Sequence, residues 1–221
     1  NANILADYIV SNSDSDEKVD FVGHSMGGLV GRAYLESDPN QKVDSYLSVG
    51  SPHEGSALAY PFASGGEIWD SNIITKIAKT ILIKRCGDEI ASSKNLLPTT
   101  DYLRDSKTNQ LKPVANMIAK NNWLPNNFTV PFGNVKIGTL SGTGFPTLNV
   151  IKVNAPSKRD IQLGNWLDGK PIAKEKTDLG DGTVLTASSQ LSGADNQIIT
   201  QNHSGLVASQ EGISKILDFL G

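Results

Sequence analysis

Val19-Asp20-Phe21-Val22-Gly23-His24-Ser25-Met26-Gly27-Gly28-Leu29-Val30 is the stretch that decides the fold. It opens on β-branched and aromatic residues, passes through a glycine-bracketed serine, and continues into an apolar pattern of helical spacing. That succession predicts a strand, a sharp turn and a helix, with Ser25 at the apex. The spelling G-H-S-M-G fits G-x-S-x-G, in which a strained turn lifts a serine hydroxyl clear of the backbone. A serine hydroxyl is a weak nucleophile, so the turn would serve to present Oγ to a base and to a carbonyl carbon. Gly23 and Gly27 are expected where a Cβ would clash between the closely approaching strand and helix. The bland alternative is a glycine-rich strand–helix turn with an idle serine.

Upstream, Ile4, Leu5, Tyr8 and Ile9 predict one apolar face of a helix over 1–10, followed by a polar turn over 11–17. Downstream, Leu29, Val30, Ala33 and Tyr34 form a helical stripe that Asp38-Pro39-Asn40 should end, since proline cannot continue the ladder. V-D-S-Y-L-S-V at 43–49 reads as the next strand and runs into Gly50-Ser51-Pro52-His53-Glu54-Gly55-Ser56. Strand, helix and strand at this spacing make a βαβ crossover, which implies a parallel sheet.

From about 57 to 131 the alternation lapses. Trp69, Ile73, Ile77 and Ile81 predict an amphipathic helix over 67–84, and Val114, Met117, Ile118 and Trp123 a shorter one over 112–124. This insertion is expected to be a lid or acyl-chain wall, or more plainly a cap packed on the core. V-K-I-G-T-L at 135–140 resumes the sheet, 147–153 and 159–163 suggest an extra hairpin, and 197–200 a last short strand. A closing helix after Asn202-His203-Ser204-Gly205 should bury Leu206, Val207, Ile213, Ile216, Leu217 and Leu220. With no repeat or linker, the 221 residues read as a single domain.

Composition excludes several classes of function. The net charge is −3 and the pI about 5.6, with no basic cluster, so nucleic acid is not expected as a partner. Cys86 is the only cysteine, which rules out an internal disulfide and a cysteine zinc site. No D-x-D-x-D-G run is present, so no metal is assigned. Scarce arginine beside abundant Asn, Ser, Thr and Asp is a composition that suits a secreted bacterial enzyme.

A nucleophilic serine requires a base, and the chain has three histidines. His24 adjoins Ser25 on the turn, so its ring is expected to point away from Oγ in a structural role. His53, in S-P-H-E-G, is expected near a site rim. His203 follows the last strand and, with carboxylates before it, completes the order Ser…Asp…His. Asp181 in G-D-G-T-V is the expected acid, presented on a glycine-flanked turn, although D-G turns are common anywhere. Asp178, Asp195 and Asp160 are its rivals, Asp178 foremost because it shares the loop.

Taken together, Gly23-His24-Ser25-Met26-Gly27-Gly28, Gly50 to Ser56, Gly180-Asp181-Gly182-Thr183-Val184 and Asn202-His203-Ser204-Gly205 resemble the lipase-like α/β-hydrolases. The branch in question includes bacterial triacylglycerol lipases, lecithin-cholesterol acyltransferase-like enzymes and glycosylphosphatidylinositol-deacylase-like proteins; Leu96-Leu97-Pro98-Thr99-Thr100-Asp101-Tyr102-Leu103 also resembles a segment of it. The resemblance implies an α/β-hydrolase fold with a mostly parallel sheet and a helical lid insertion. It implies Ser25 as nucleophile, Asp181 as acid, His203 as base and the Met26 N–H as one oxyanion donor, with no cofactor. The activity implied is carboxylic-ester hydrolysis, as in lipid degradation, on a lipid or other acyl-ester substrate with transient contact at a lipid interface. The same triad would serve an acyltransferase; a non-catalytic fragment that binds acyl groups or proteins is the alternative from another class. In such folds the nucleophile strand is central and a second oxyanion donor comes from an early loop. Both point to a preceding segment of the same protein as a partner that pairs with the Val19 strand.

Overall fold

The computed structural model describes residues 2–14, 16–37, 42–67, 69, 91–124, 128 and 133–221, the side chains of 91–93 excepted. The chain divides into two compact units, Asn1–His53 with Asn127–Thr147 and Thr177–Gly221, and Glu54–Asn126 with Leu148–Lys176.

The first unit is built on a four-stranded sheet. Its strands are β1 (Val19–His24), β2 (Val43–Val49), β5 (Lys136–Gly142) and β8 (Asp195–Ile199), in that spatial order. All three pairings are parallel. In β2 only Asp44 is exposed and in β5 only Lys136, the near-continuous burial of strands covered on both faces. Helix α1 (Ala2–Asn12) and helix α2 (Met26–Ser37) belong to this unit. A core of Ile9, Tyr34, Leu35, Val43, Tyr46, Val135, Ile137 and Leu191 draws on both helices and on β2 and β5. A second core joins Leu47, Val49 and Leu140 to Ile199, Leu206 and Phe219. Among the described strands, β1 pairs with β2 alone.

Two expected apolar faces are corrected by packing. In α1 the buried side is Ala2, Leu5, Ala6 and Ile9, at i, i+3, i+4 and i+7, while Ile4 and Tyr8 are 70% and 66% exposed. The closing helix is two helices, Gly205–Ala208 and Gln210–Leu220, because Ser209 turns extended and its Oγ caps the second by accepting from Gly212 N–H. That break turns Leu206, Ile216, Phe219 and Leu220 inward and leaves Val207, Ile213 and Leu217 exposed, against the expectation for all three. Phe219 packs on Gly138 of β5, where a Cβ would lie 2.9 Å from its Cδ2.

The second unit carries a sheet in the order β4 (Leu111–Lys112), β3 (Leu103–Asp105), β6 (Thr147–Asn154), β7 (Lys170–Thr177). Tyr60, Leu97, Leu103, Ile151 and Trp166 are at its core. The expected hairpin of 147–153 with 159–163 does not form. Strand β6 pairs in parallel with β3, and Lys158–Gln162 is a helical turn opened by a capping box between Ser157 and Asp160. Nor is 112–124 a helix. Pro113 offers no N–H, only Val114–Asn116 coils as a 3-10 turn, and the next amides are taken by side chains. Ile118 and Ala119 N–H donate to the two oxygens of Asp168 at 2.7 Å each, and Trp123 and Leu124 N–H donate to Asn121 Oδ1. The helix expected over 67–84 lies almost wholly outside the described residues.

Candidate active site

The elbow follows from the end of β1. Ser25 N–H donates to Val49 O at 2.8 Å, continuing the β1–β2 ladder by one residue. Ser25 itself then takes φ 56°, a left-handed conformation that a side-chain-bearing residue adopts at a cost of about 1–3 kcal/mol. Helix α2 starts at the next residue, so the Met26 N–H stands in a first turn whose amides have no intrahelical acceptor.

The glycines around this turn divide differently from the expectation. A Cβ at Gly23 would lie 2.5 Å from the Gly28 amide nitrogen, a backbone atom that cannot move aside. A Cβ at Gly27 would meet nothing within 4 Å, so that glycine is not required by packing. Gly28 takes its place: a Cβ there would overlap Ser51 Oγ and lie 2.8 Å from Ser51 Cβ and 3.0 Å from Ser48 Cβ. The difference arises because Gly28 faces β2 and Gly27 does not. Tyr46 OH donates to Gly28 O at 2.7 Å, a further bond from β2 to the elbow.

Asp181 lies on the turn before the short 3-10 helix Ala187–Ser189, with its side chain 1% exposed. Its Oδ1 accepts from Thr183 N–H at 2.8 Å and Val184 N–H at 2.7 Å, and its Oδ2 from His203 Nδ1–H at 2.7 Å. Gly182, at φ 94°, makes the turn and donates its N–H to Thr147 Oγ1. The carboxylate is therefore both the anchor of a local D-G turn and the partner of a distant imidazole. With Nδ1 carrying the proton, Nε2 of His203 is the nitrogen left to accept one.

Asp178 is exposed, and it contributes its backbone carbonyl to Gly144 N–H. Asp195 is exposed at the start of β8, and Asp160 belongs to the capping box of the second unit, where the Ser157 hydroxyl and then Lys170 lower its carboxyl pKa to about 2. None of these three rivals is hydrogen-bonded to a histidine among the described residues.

His53 does not lie at a rim. It is 3% exposed and its Nε2 shares a 2.8 Å hydrogen bond with Ser48 Oγ, while Nδ1 has no partner among the described residues. Burial, with a smaller effect from Arg32, pushes its pKa down to about 3, so the ring is neutral near neutral pH.

Two residues near the pair, both named in the sequence, make contacts with it that residue order did not foretell. Gly50, at φ 58°, ends β2 so close that a Cβ would lie 3.2 Å from both Asp181 Oδ2 and His203 Nδ1. A side chain there would crowd both partners of the Asp181–His203 bond. His24 Nε2–H donates to His203 O at 3.0 Å, and the two rings lie 4.6 Å apart at 41°. Nothing in the spacing announces a contact between residues 179 apart in the chain.

Among the described residues, no group of three His, Cys, Asp or Glu side chains could hold a metal ion, and no helix is long and apolar enough to cross a membrane.

Comparison with known proteins places this architecture. The mature form of a Bacillus licheniformis lipase is similar over 99% of this chain and 69% of its own, with 17% identity and a TM-score of 0.50. A metagenomic carboxyl esterase is similar over 93% of this chain and 51% of its own, with 16% identity and a TM-score of 0.52. The likeness is one of fold: this is a lipase-like α/β-hydrolase fold with a mostly parallel sheet. The family model described as Palmitoyl protein thioesterase matches residues 3–128, and the chain belongs to that family. Family and fold together place it among the ester hydrolases of the α/β-hydrolase type. No curated protein matches the chain.

Proposed function

We propose that the protein hydrolyses carboxylic acyl esters through a covalent acyl-enzyme formed on Ser25. The observation that carries this reading is the 2.7 Å bond from His203 Nδ1 to the buried Asp181 carboxylate, in the same unit as a serine held at φ 56° on a strand–helix turn. Ser25 Oγ attacks the ester carbonyl carbon while His203 Nε2 takes the hydroxyl proton. Asp181 keeps the imidazole in the tautomer with its proton on Nδ1 and stabilises the imidazolium that forms. The Met26 N–H, in the first turn of α2, donates to the developing oxyanion. His203 then gives its proton to the departing alcohol, and water, activated by the same nitrogen, releases the acid.

Exposed apolar side chains near these residues in sequence support an acyl substrate and contact with a lipid surface. Met26 follows Ser25, Leu179 precedes Asp181 by two residues and Val207 lies four past His203, at 49%, 69% and 36% exposure. The family description favours a second substrate reading, a long-chain acyl thioester, which the same chemistry cleaves with a thiol as leaving group. A fluorophosphonate probe should label Ser25 in the native protein and not in Ser25→Ala. A series of p-nitrophenyl esters alongside the matching acyl thioesters ranks the substrates, and added alcohol acceptor tests for acyl transfer. Absence of probe labelling, with no turnover of any ester or thioester, sinks the proposal.

A further inference from the structure

We propose that His24 is the positioning residue of the base, tying the His203 backbone and ring to the strand that carries the nucleophile. The inference rests on the assignment of Ser25 and His203 above.

His203 stands in the short loop between β8 and the helix Gly205–Ala208, where its backbone has no sheet or helix ladder to hold it. Its N–H donates to Asp181 O at 2.9 Å, and its ring Nδ1–H to Asp181 Oδ2. Those bonds fix His203 to the Asp181 turn and say nothing of the distance to Ser25. The link to the nucleophile comes from the other side. His24 Nε2–H donates to His203 O at 3.0 Å, and its ring lies against the His203 ring at 4.6 Å. His24 is the last residue of β1 and the chain neighbour of Ser25, and the Ser25 N–H is itself held by Val49 O. A rigid strand thus carries both the nucleophile and a hydrogen bond to the base, one residue apart. Proton transfer requires the base within hydrogen-bond reach of Oγ, and a misplacement of about 1 Å is costly.

The charge state of His24 suits the part. A carbonyl only accepts, so Nε2 carries the hydrogen. Burial is the largest cause holding His24 below its ordinary value of 6.5, assisted by the neighbouring His203 and opposed by the hydrogen bond to the His203 carbonyl and by Asp181. A neutral ring can lie against His203 while the imidazolium forms there; a charged one would oppose it.

The test separates donor from bulk. His24→Phe keeps a ring and loses the donor; His24→Gln keeps a side-chain N–H at about the reach of Nε2. His24→Phe should lower kcat about tenfold, the range of one lost hydrogen bond, with KM changed less than about twofold. His24→Gln should recover kcat to within about threefold of the parent. The rate of fluorophosphonate labelling of Ser25 should follow kcat in both. His24→Met, also without a donor, makes the same comparison with Gln should the Phe variant not fold. Equal loss in the Gln variant and the donor-less one, an unchanged kcat in either donor-less variant, or a loss carried by KM alone overturns the proposal. Ser25→Ala and His203→Ala run beside them: if those remain active, the catalytic assignment has failed instead.

Discussion

His203 is bonded to Asp181 at two points, ring Nδ1 to carboxylate Oδ2 at 2.7 Å and backbone N–H to backbone carbonyl at 2.9 Å. The second bond sets the chain path so that the first is made without further search. Replacing the carboxylate by an amide keeps the shape and removes the charge that selects the tautomer. Asp181→Asn is therefore expected to lower kcat by about 10³–10⁴-fold, with Ser25→Ala and His203→Ala at least as damaging. Asp178→Asn, at an exposed side chain, should leave kcat within about twofold. Steady-state kinetics on one ester decides between them, and a larger loss at Asp178 would reassign the acid.

Gly27 and Gly28 are adjacent and should answer alanine in opposite ways. A Cβ at Gly27 enters open space inside α2, so Gly27→Ala should raise stability by up to about 1 kcal/mol through helix propensity. At Gly28 the same methyl presses on Ser51 and Ser48 of a close-packed contact, and about 1–3 kcal/mol should be lost. Urea unfolding of the two variants measures the difference; equal shifts would mean that the strand and helix do not approach as described.

His53 should make the fold acid-sensitive. Its pKa is about 3 when folded and about 6.5 when the chain is open, so between those values the unfolded state binds the extra proton. Its contribution is fully present above about pH 6.5 and is lost as the pH falls toward 3, at up to about 1.4 kcal/mol per unit. His53→Gln removes that slope. Stability measured from pH 7 to 4 in parent and variant should converge on acidification; parallel curves would rule the effect out.

Strand β1 offers an edge with no described strand beyond it, and Val22 on it is 39% exposed. An unpaired edge templates the addition of another strand. The 221-residue chain should associate as its concentration rises, and Val22→Lys should shift it toward monomer. Sedimentation velocity over a hundredfold concentration range reads this, and a parent that stays monomeric throughout contradicts it.

What the amino-acid sequence determined by itself is local. The strand, turn and helix around Ser25 are written in residue order, because β-branched residues, glycines and helical spacing act over a few neighbours, and β2 is equally plain from its buried run. Asp181 and His203 were legible as candidates from chain order and turn chemistry. Tertiary structure decided the rest. Asp168, some fifty residues downstream, takes amides that the apolar spacing of 112–124 would have given to a helix. Ser51 makes Gly28 rather than Gly27 indispensable. His24 meets His203 across 179 residues. In each case a hydrogen bond or a van der Waals contact between distant segments outweighs a local preference worth only a few tenths of a kcal/mol to about 1 kcal/mol, and such contacts exist only once the chain has closed on itself.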